Sequence, residues 1–177
     1  MRQLKQLNIE KSIKQEKLIF KESWFDKFDA ITVYLVFGWF VILPFLMFFD
    51  PYRTQGEIGY YLIFIMTFFG IYVIYRKATE KRLINIPNSN DQERNRQLIN
   101  EYCQSEKFNK YRNATNIIIY TEDADFSINP KWKTSYIFLF KNNTVLFTVL
   151  KERFKLNLPT LTKHLFVKRD LKKILNK

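Results

Sequence analysis

Along most of the chain polar and apolar residues are mixed, but two stretches lack a charged face altogether. Ala30–Phe49 has 20 residues and Ile58–Tyr75 has 18, and neither contains Asp, Glu, Lys, Arg or His. As helices at 1.5 Å per residue they reach about 30 Å and about 27 Å, matching a hydrocarbon layer of about 30 Å. A helix on the surface of a soluble core shows a polar stripe, and these show none, so the pattern predicts a membrane hairpin with Asp50–Glu57 as its connection. Twenty-nine mostly polar residues precede the first run and no small-residue cleavage pattern follows Phe49, so a cleaved signal peptide does not fit.

Within the hairpin, Pro44 removes an amide donor and crowds the carbonyl of Phe40, which predicts a kink. Gly38 and Gly70 lie 11 and 12 residues from the connecting ends of their runs, at the same depth. Small residues let membrane helices approach closely, so a helix crossing at Gly38 and Gly70 is expected, against the alternative that the two glycines are incidental.

Outside the hairpin the patterning is weaker. Residues 1–22 place Lys11, Lys14, Lys17 and Lys21 among Ile9, Ile13, Leu18, Ile19 and Phe20. They read either as a basic amphipathic helix lying on the membrane surface or as a solvated arm. Arg76–Ile86 continues the second helix until Pro87 stops it. Another helix is expected from about Asp91 to Lys107, with Asn90 as its cap.

From Asn116 onward the composition turns to branched and aromatic residues. Strands are predicted at Asn116–Thr121, Phe126–Ile128, Lys133–Lys141 and Thr144–Lys151, with a further one spanning Phe154, Leu156 and Leu158 before Pro159. Asn142-Asn143 suits a two-residue hairpin turn. Leu161–Leu175 returns to helical spacing and reads either as the element that closes the sheet or as a basic face turned to lipid or an acidic partner. The expected fold is therefore a membrane α-helical hairpin plus a small α+β cytoplasmic domain, with an antiparallel sheet of four to five strands and a C-terminal helix. It divides into a basic arm (1–29), the hairpin (30–75, spans 30–49 and 58–75) and a basic domain (76–177).

Charge orients this plan. Of the formal net charge of +12, residues 76–177 carry +11. Lys11, Lys14, Lys17, Lys21 and Lys27 precede the first span, and Arg76, Lys77, Lys81, Arg82 and Arg94 follow the second, whereas the connection has only Arg53. Basic flanks resist translocation, so both termini are expected in the cytoplasm of a multi-pass protein of the cell (inner) membrane. Trp24, Phe25, Phe28, Tyr52, Tyr60, Tyr61 and Tyr75 stand where aromatic side chains anchor at headgroups.

A cationic domain beside an anionic leaflet makes membrane lipids the first expected partner, with an additional protein partner of unspecified identity. The basic residues are scattered and no helix-turn-helix, zinc-finger or RNP-type pattern is present, so the charge does not point to nucleic acid. Candidate lipid or partner contacts are Trp132, flanked by Lys131 and Lys133, and the basic residues Lys163, Arg169, Lys172 and Lys173. Trp132 reads either as a cap on the sheet edge or as a stacking or inserting side chain.

No chemistry is legible. The single cysteine, Cys103, cannot form an intrachain disulfide and reads as a half-buried helix residue; the only histidine, His164, is remote in sequence. Glu122, Asp123 and Asp125 are clustered but lack calcium-loop spacing. The chain after Gly70 has no glycine, which excludes a glycine-rich phosphate loop. Asn113-Ala-Thr115 and Asn142-Asn143-Thr144 match the glycosylation pattern, which a cytoplasmic domain does not use. The expectation is a non-enzymatic protein with no cofactor or metal, acting as a binding, regulatory or accessory module; the alternative is a subunit of an oligomeric transporter or channel, as homo-oligomers of the hairpin would form.

One resemblance bears on this plan. A membrane hairpin followed by Tyr136-Ile-Phe-Leu-Phe-Lys-Asn-Asn-Thr-Val-Leu-Phe-Thr-Val-Leu-Lys-Glu-Arg-Phe154 and a closing helix resembles the bacterial YcxB-like proteins. The resemblance implies a PH-like C-terminal domain and no catalytic residues.

Overall fold

The computed structural model describes residues 4–49, 57–123, 133–141, 143–152 and 157–176. A 3-10 turn at Leu4–Gln6 and a short helix α1 (Ile9–Gln15) lead into two long apolar helices, α2 (Trp24–Phe48) and α3 (Glu57–Thr79). Then come strand β1 (Ile84–Pro87), helix α4 (Gln92–Ser105), strands β2 (Asn109–Ala114), β3 (Ile117–Asp123), β4 (Lys133–Lys141) and β5 (Thr144–Glu152), and helix α5 (Lys163–Leu175). The predicted strand at 126–128, the residues 153–156 of the last predicted strand, the 50–56 connection and Trp132 lie outside the described residues.

The helices α2 and α3 run longer than their uncharged segments because each takes in polar residues at the domain end. Ser23 caps α2 with a reciprocal box, accepting from the Asp26 amide while the Asp26 carboxylate accepts from the Ser23 amide, so the helix starts at Trp24. Pro44 lies inside α2 without ending it. α3 stops at Thr79 rather than continuing to Ile86, and Ile84–Pro87 is instead an edge strand paired antiparallel with β5, Pro87 opposite Thr144. An edge is where a sheet tolerates a residue with no amide to donate.

The five strands form one antiparallel sheet in the order β1-β5-β4-β3-β2. Lys141 faces Thr144 across the β4–β5 turn, so the hairpin register is the one Asn142-Asn143 predicts. β3, β4 and β5 are buried on both faces, which explains their nearly continuous apolar runs.

On one face Ile118, Tyr120, Tyr136, Phe138, Val145 and Phe147 pack under Ile99 and Cys103 of α4 and Val167, Leu171 and Leu175 of α5. Cys103 is thus fully buried, not half-buried. α4 starts one residue later than expected because the Asp91 carboxylate, not Asn90, accepts from the Arg94 amide.

The opposite face is covered by the N-terminal arm. Leu4, Leu7 and Leu18, with Ile9, Ile13 and Phe20 beside them, pack on Ile117, Ile119, Ile137, Leu139, Leu146 and Leu150. Two backbone bonds fasten the arm to the chain after α3, from the Leu18 amide to Lys81 O and from the Leu83 amide to Glu16 O, each 2.8 Å. Glu16 closes α1 in the left-handed region (φ 49°) and so turns the chain back. Where a separate basic arm was expected over residues 1–29, the described part packs as a second layer on the sheet, its apolar side chains facing Ile117, Ile119, Ile137, Leu139, Leu146 and Leu150.

Candidate functional site

Where the two long helices enter the domain, charges are buried. Asp29 stands in the second turn of α2, and Arg76, Lys77 and Glu80 at the end of α3. Lys77 Nζ donates to Asp29 Oδ2 at 2.8 Å and to the Asn157 carbonyl at 2.7 Å, and lies 3.5 Å from Glu80 Oε1. The second Asp29 oxygen accepts from the Asn157 amide, and the Thr148 hydroxyl of β5 donates to the Glu80 carbonyl at 3.0 Å. The Lys77 and Asp29 side chains are 2% and 3% exposed. Charges removed from water persist only when protein groups replace the lost hydration. Here α2, α3 and the segment following β5 all contribute, so the cluster locks the helix pair to the domain.

Next to this lock is a cleft of about 450 Å³, walled by Tyr72, Tyr75 and Arg76 of α3, Arg82, and His164 and Lys168 of α5. The Tyr72 hydroxyl donates to the Leu161 carbonyl at 2.6 Å, and Arg76 Nε to the Thr160 carbonyl at 3.3 Å, so the start of α5 is fixed against α3. His164 is 6% exposed, and among the described residues its buried Nδ1 has no hydrogen-bond partner. Burial, with the positive charges of Arg76 and Lys168 adding to it, lowers the His164 pKa to about 4, so the ring is neutral at physiological pH. Beside the cleft, Leu165 and Phe166 are more than half exposed.

The structure distributes the predicted site residues unevenly. A Cβ at Gly70 would stand 3.0 Å from the Phe37 carbonyl and 3.2 Å from a Val41 methyl, so α3 meets α2 here. Gly38 takes no part in that contact: a Cβ there would meet nothing within 4 Å. The crossing is Gly70 against Phe37–Val41, because equal depth does not fix which way a helix is rotated. Lys163 is engaged within the domain, its ammonium on Glu122, which also accepts from the Tyr136 hydroxyl. Arg169 bonds Asp170 and lies over the Phe166 ring, whereas Lys172 and Lys173 are exposed on the last turn of α5.

Cys103 and His164 belong to different surroundings. Burial raises the Cys103 pKa, with the charge of Glu106 adding, so it stays a thiol. Asp123 pairs with Lys133 at 3.4 Å, and among the described residues no group of three potential metal ligands occurs.

Sequence reasoning missed Asp29, Lys77, Glu80 and the cleft cations Arg82 and Lys168. The available signal was positional: Asp29 and Lys77 bracket the two apolar runs at the same end of the hairpin. No family model, no curated protein and no solved structure matches the chain.

Proposed function

We propose that this chain is an integral protein of the cell membrane, with both termini cytoplasmic, whose α+β domain is a non-catalytic binding or regulatory module held in fixed orientation at the membrane. The observation that carries the membrane reading is the outer surface of the helix pair. Leu35 is 70% exposed, Phe45 58%, Phe64 61% and Phe68 69%, although α2 and α3 pack on each other. Only 6% of the apolar stretch of α2 and 22% of that of α3 is buried in the protein, where the core helices of a soluble fold would be mostly covered. Lipid is the solvent that suits such a surface.

The buried Lys77–Asp29 pair supports fixed orientation, since a domain on a loose tether has no need to close a salt bridge beneath its sheet. The β4–β5 hairpin with its closing helix supports kinship with YcxB-like proteins as part of the same reading.

Fractionation tests the first half. The chain should remain in the pellet when membranes are washed with alkaline carbonate and be released by detergent; recovery in the carbonate supernatant overturns the reading. Orientation is tested in a Cys103→Ser background. Thr54→Cys should react with a membrane-impermeant maleimide on intact cells, and Lys173→Cys only after permeabilisation. Light scattering after mild solubilisation should give one chain per particle, whereas stable multimers favour a channel or transporter subunit.

A further inference from the structure

Three cationic side chains converge on the cleft at the domain end of α3: Arg76, Arg82 and Lys168. Among the described residues neither Arg82 nor Lys168 makes an ion pair. The acidic group electrostatically coupled to Arg76 is Glu80, and its carboxylate is already 3.5 Å from the Lys77 ammonium. Among the described residues, the lining of the cleft therefore holds positive charge without a carboxylate of its own.

A second observation is independent of this charge. His164, 6% exposed, lines the same cleft, and among the described residues its buried Nδ1 is unpartnered. His164 also stands in the first turn of α5, whose Thr162 makes no side-chain cap bond, so the positive end of the helix dipole is left to act on the same region.

The walls indicate where a ligand comes from. Tyr75 is 61% exposed and Leu165 51%, and the Tyr72 hydroxyl is bonded to the start of α5. On the membrane reading, on which this inference rests, aromatic side chains at the end of a span lie at headgroup depth. Phe68 and Ile71, one to two turns deeper on α3, are exposed to hydrocarbon. A volume of about 450 Å³ falls within the range of small-molecule sites.

We propose that this cleft binds the phosphoryl group of an anionic phospholipid, with Arg76, Arg82 and Lys168 supplying the charge and His164 forming part of the wall. The acyl chains run along the exposed side of α3, and the headgroup rests between α3 and α5. Guanidinium and ammonium groups beside the cytoplasmic end of a span are the chemistry that recognises such headgroups.

The test uses the full chain in dodecyl maltoside, titrated with dioctanoyl phosphatidylglycerol, dioctanoyl phosphatidylcholine and inorganic phosphate and read by thermal shift and microscale thermophoresis. Phosphatidylglycerol should bind at least tenfold more tightly than phosphatidylcholine. The Arg82→Gln/Lys168→Gln double variant should lose at least tenfold in affinity, while its ligand-free melting temperature stays within about 2 °C of the parent. Lys172→Gln/Lys173→Gln should bind like the parent, because those residues carry equal charge on the helix that bears Lys168 but do not line the cleft.

Inorganic phosphate binding as tightly as phosphatidylglycerol, with the same loss in the double variant, keeps the phosphoryl site and names a soluble phosphate as its source. Equal affinity for the two lipids, or full affinity in the double variant, overturns the proposal. Because these titrations are done in detergent, their failure leaves the membrane reading intact, whereas recovery in the carbonate supernatant removes that reading whatever the titrations give.

Discussion

Lys77 and Asp29 are 48 positions apart in the chain, yet their side chains meet at 2.8 Å in a region that water scarcely reaches. Removing one member of a buried pair leaves the other uncompensated, at a cost of about 3–5 kcal/mol. Lys77→Met should be the more damaging single change, because it leaves Asp29 and Glu80 both without their shared cation. Thermal melts in detergent should show Lys77→Met and Asp29→Leu each strongly destabilised and the double variant well short of their sum. Additive losses would mean that the two side chains do not act on each other.

Gly70 and Gly38 should respond oppositely to added bulk. Gly70→Val drives a branched side chain into the Phe37 carbonyl and should cost about 1–3 kcal/mol, since backbone on the facing helix cannot step aside cheaply. Gly38→Val meets open space and should change the melting temperature little. A large loss at Gly38 with none at Gly70 would place the crossing elsewhere.

The arm should be as necessary as the sheet it covers. Leu18→Ala removes a side chain that is 2% exposed, and such truncations cost about 2–5 kcal/mol. A chain lacking residues 1–20 should aggregate even in detergent, because Ile137, Leu139 and Leu146 lose their cover. Unchanged melting of Leu18→Ala would instead indicate an arm that floats free.

His164 gives the domain a dependence on pH. Its folded pKa of about 4 lies below the 6.5 of the unfolded chain, so the unfolded state takes up the proton first. The stabilisation is complete above pH 6.5 and is lost as pH falls toward 4, by up to about 3 kcal/mol at 1.36 kcal/mol per unit. Arg76 and Lys168 share the cleft with the ring and oppose its protonation. Urea titrations at pH 7 and pH 5 should differ in the parent and converge in His164→Asn. A parallel slope in both would assign the effect to other groups.

The two long apolar helices were legible because an uncharged run can be counted without knowing its neighbours. β3, β4, β5 and α5 were legible for a similar reason, each carrying its own periodicity or apolar density. β1 and β2 were not: Ile84–Pro87 is short and ends in proline, and Asn109–Ala114 is the polar edge of the sheet with a register shift between Lys110 and Arg112. Edge strands owe their form to a partner more than to their own side chains. The arm's apolar residues were visible, but the surface that receives them is built by residues 117–150, so a local pattern equally suited a lipid surface. The charge cluster and cleft were hidden for the same cause, being assembled from α2, α3, β5 and α5 at once.

That the opening residues roof strands made more than a hundred positions later has a bearing on biogenesis. As the polypeptide leaves the ribosome, Leu4, Leu7 and Leu18 emerge long before Ile137 or Leu146 exists, and both apolar helices are made in between. On the proposed membrane reading, insertion proceeds before this segment has a surface to pack on, and the globular part can close only after synthesis has passed β5. If the proposed membrane reading holds, a nascent chain arrested before residue 144 should already be lodged in the bilayer while residues 4–20 are still open to protease.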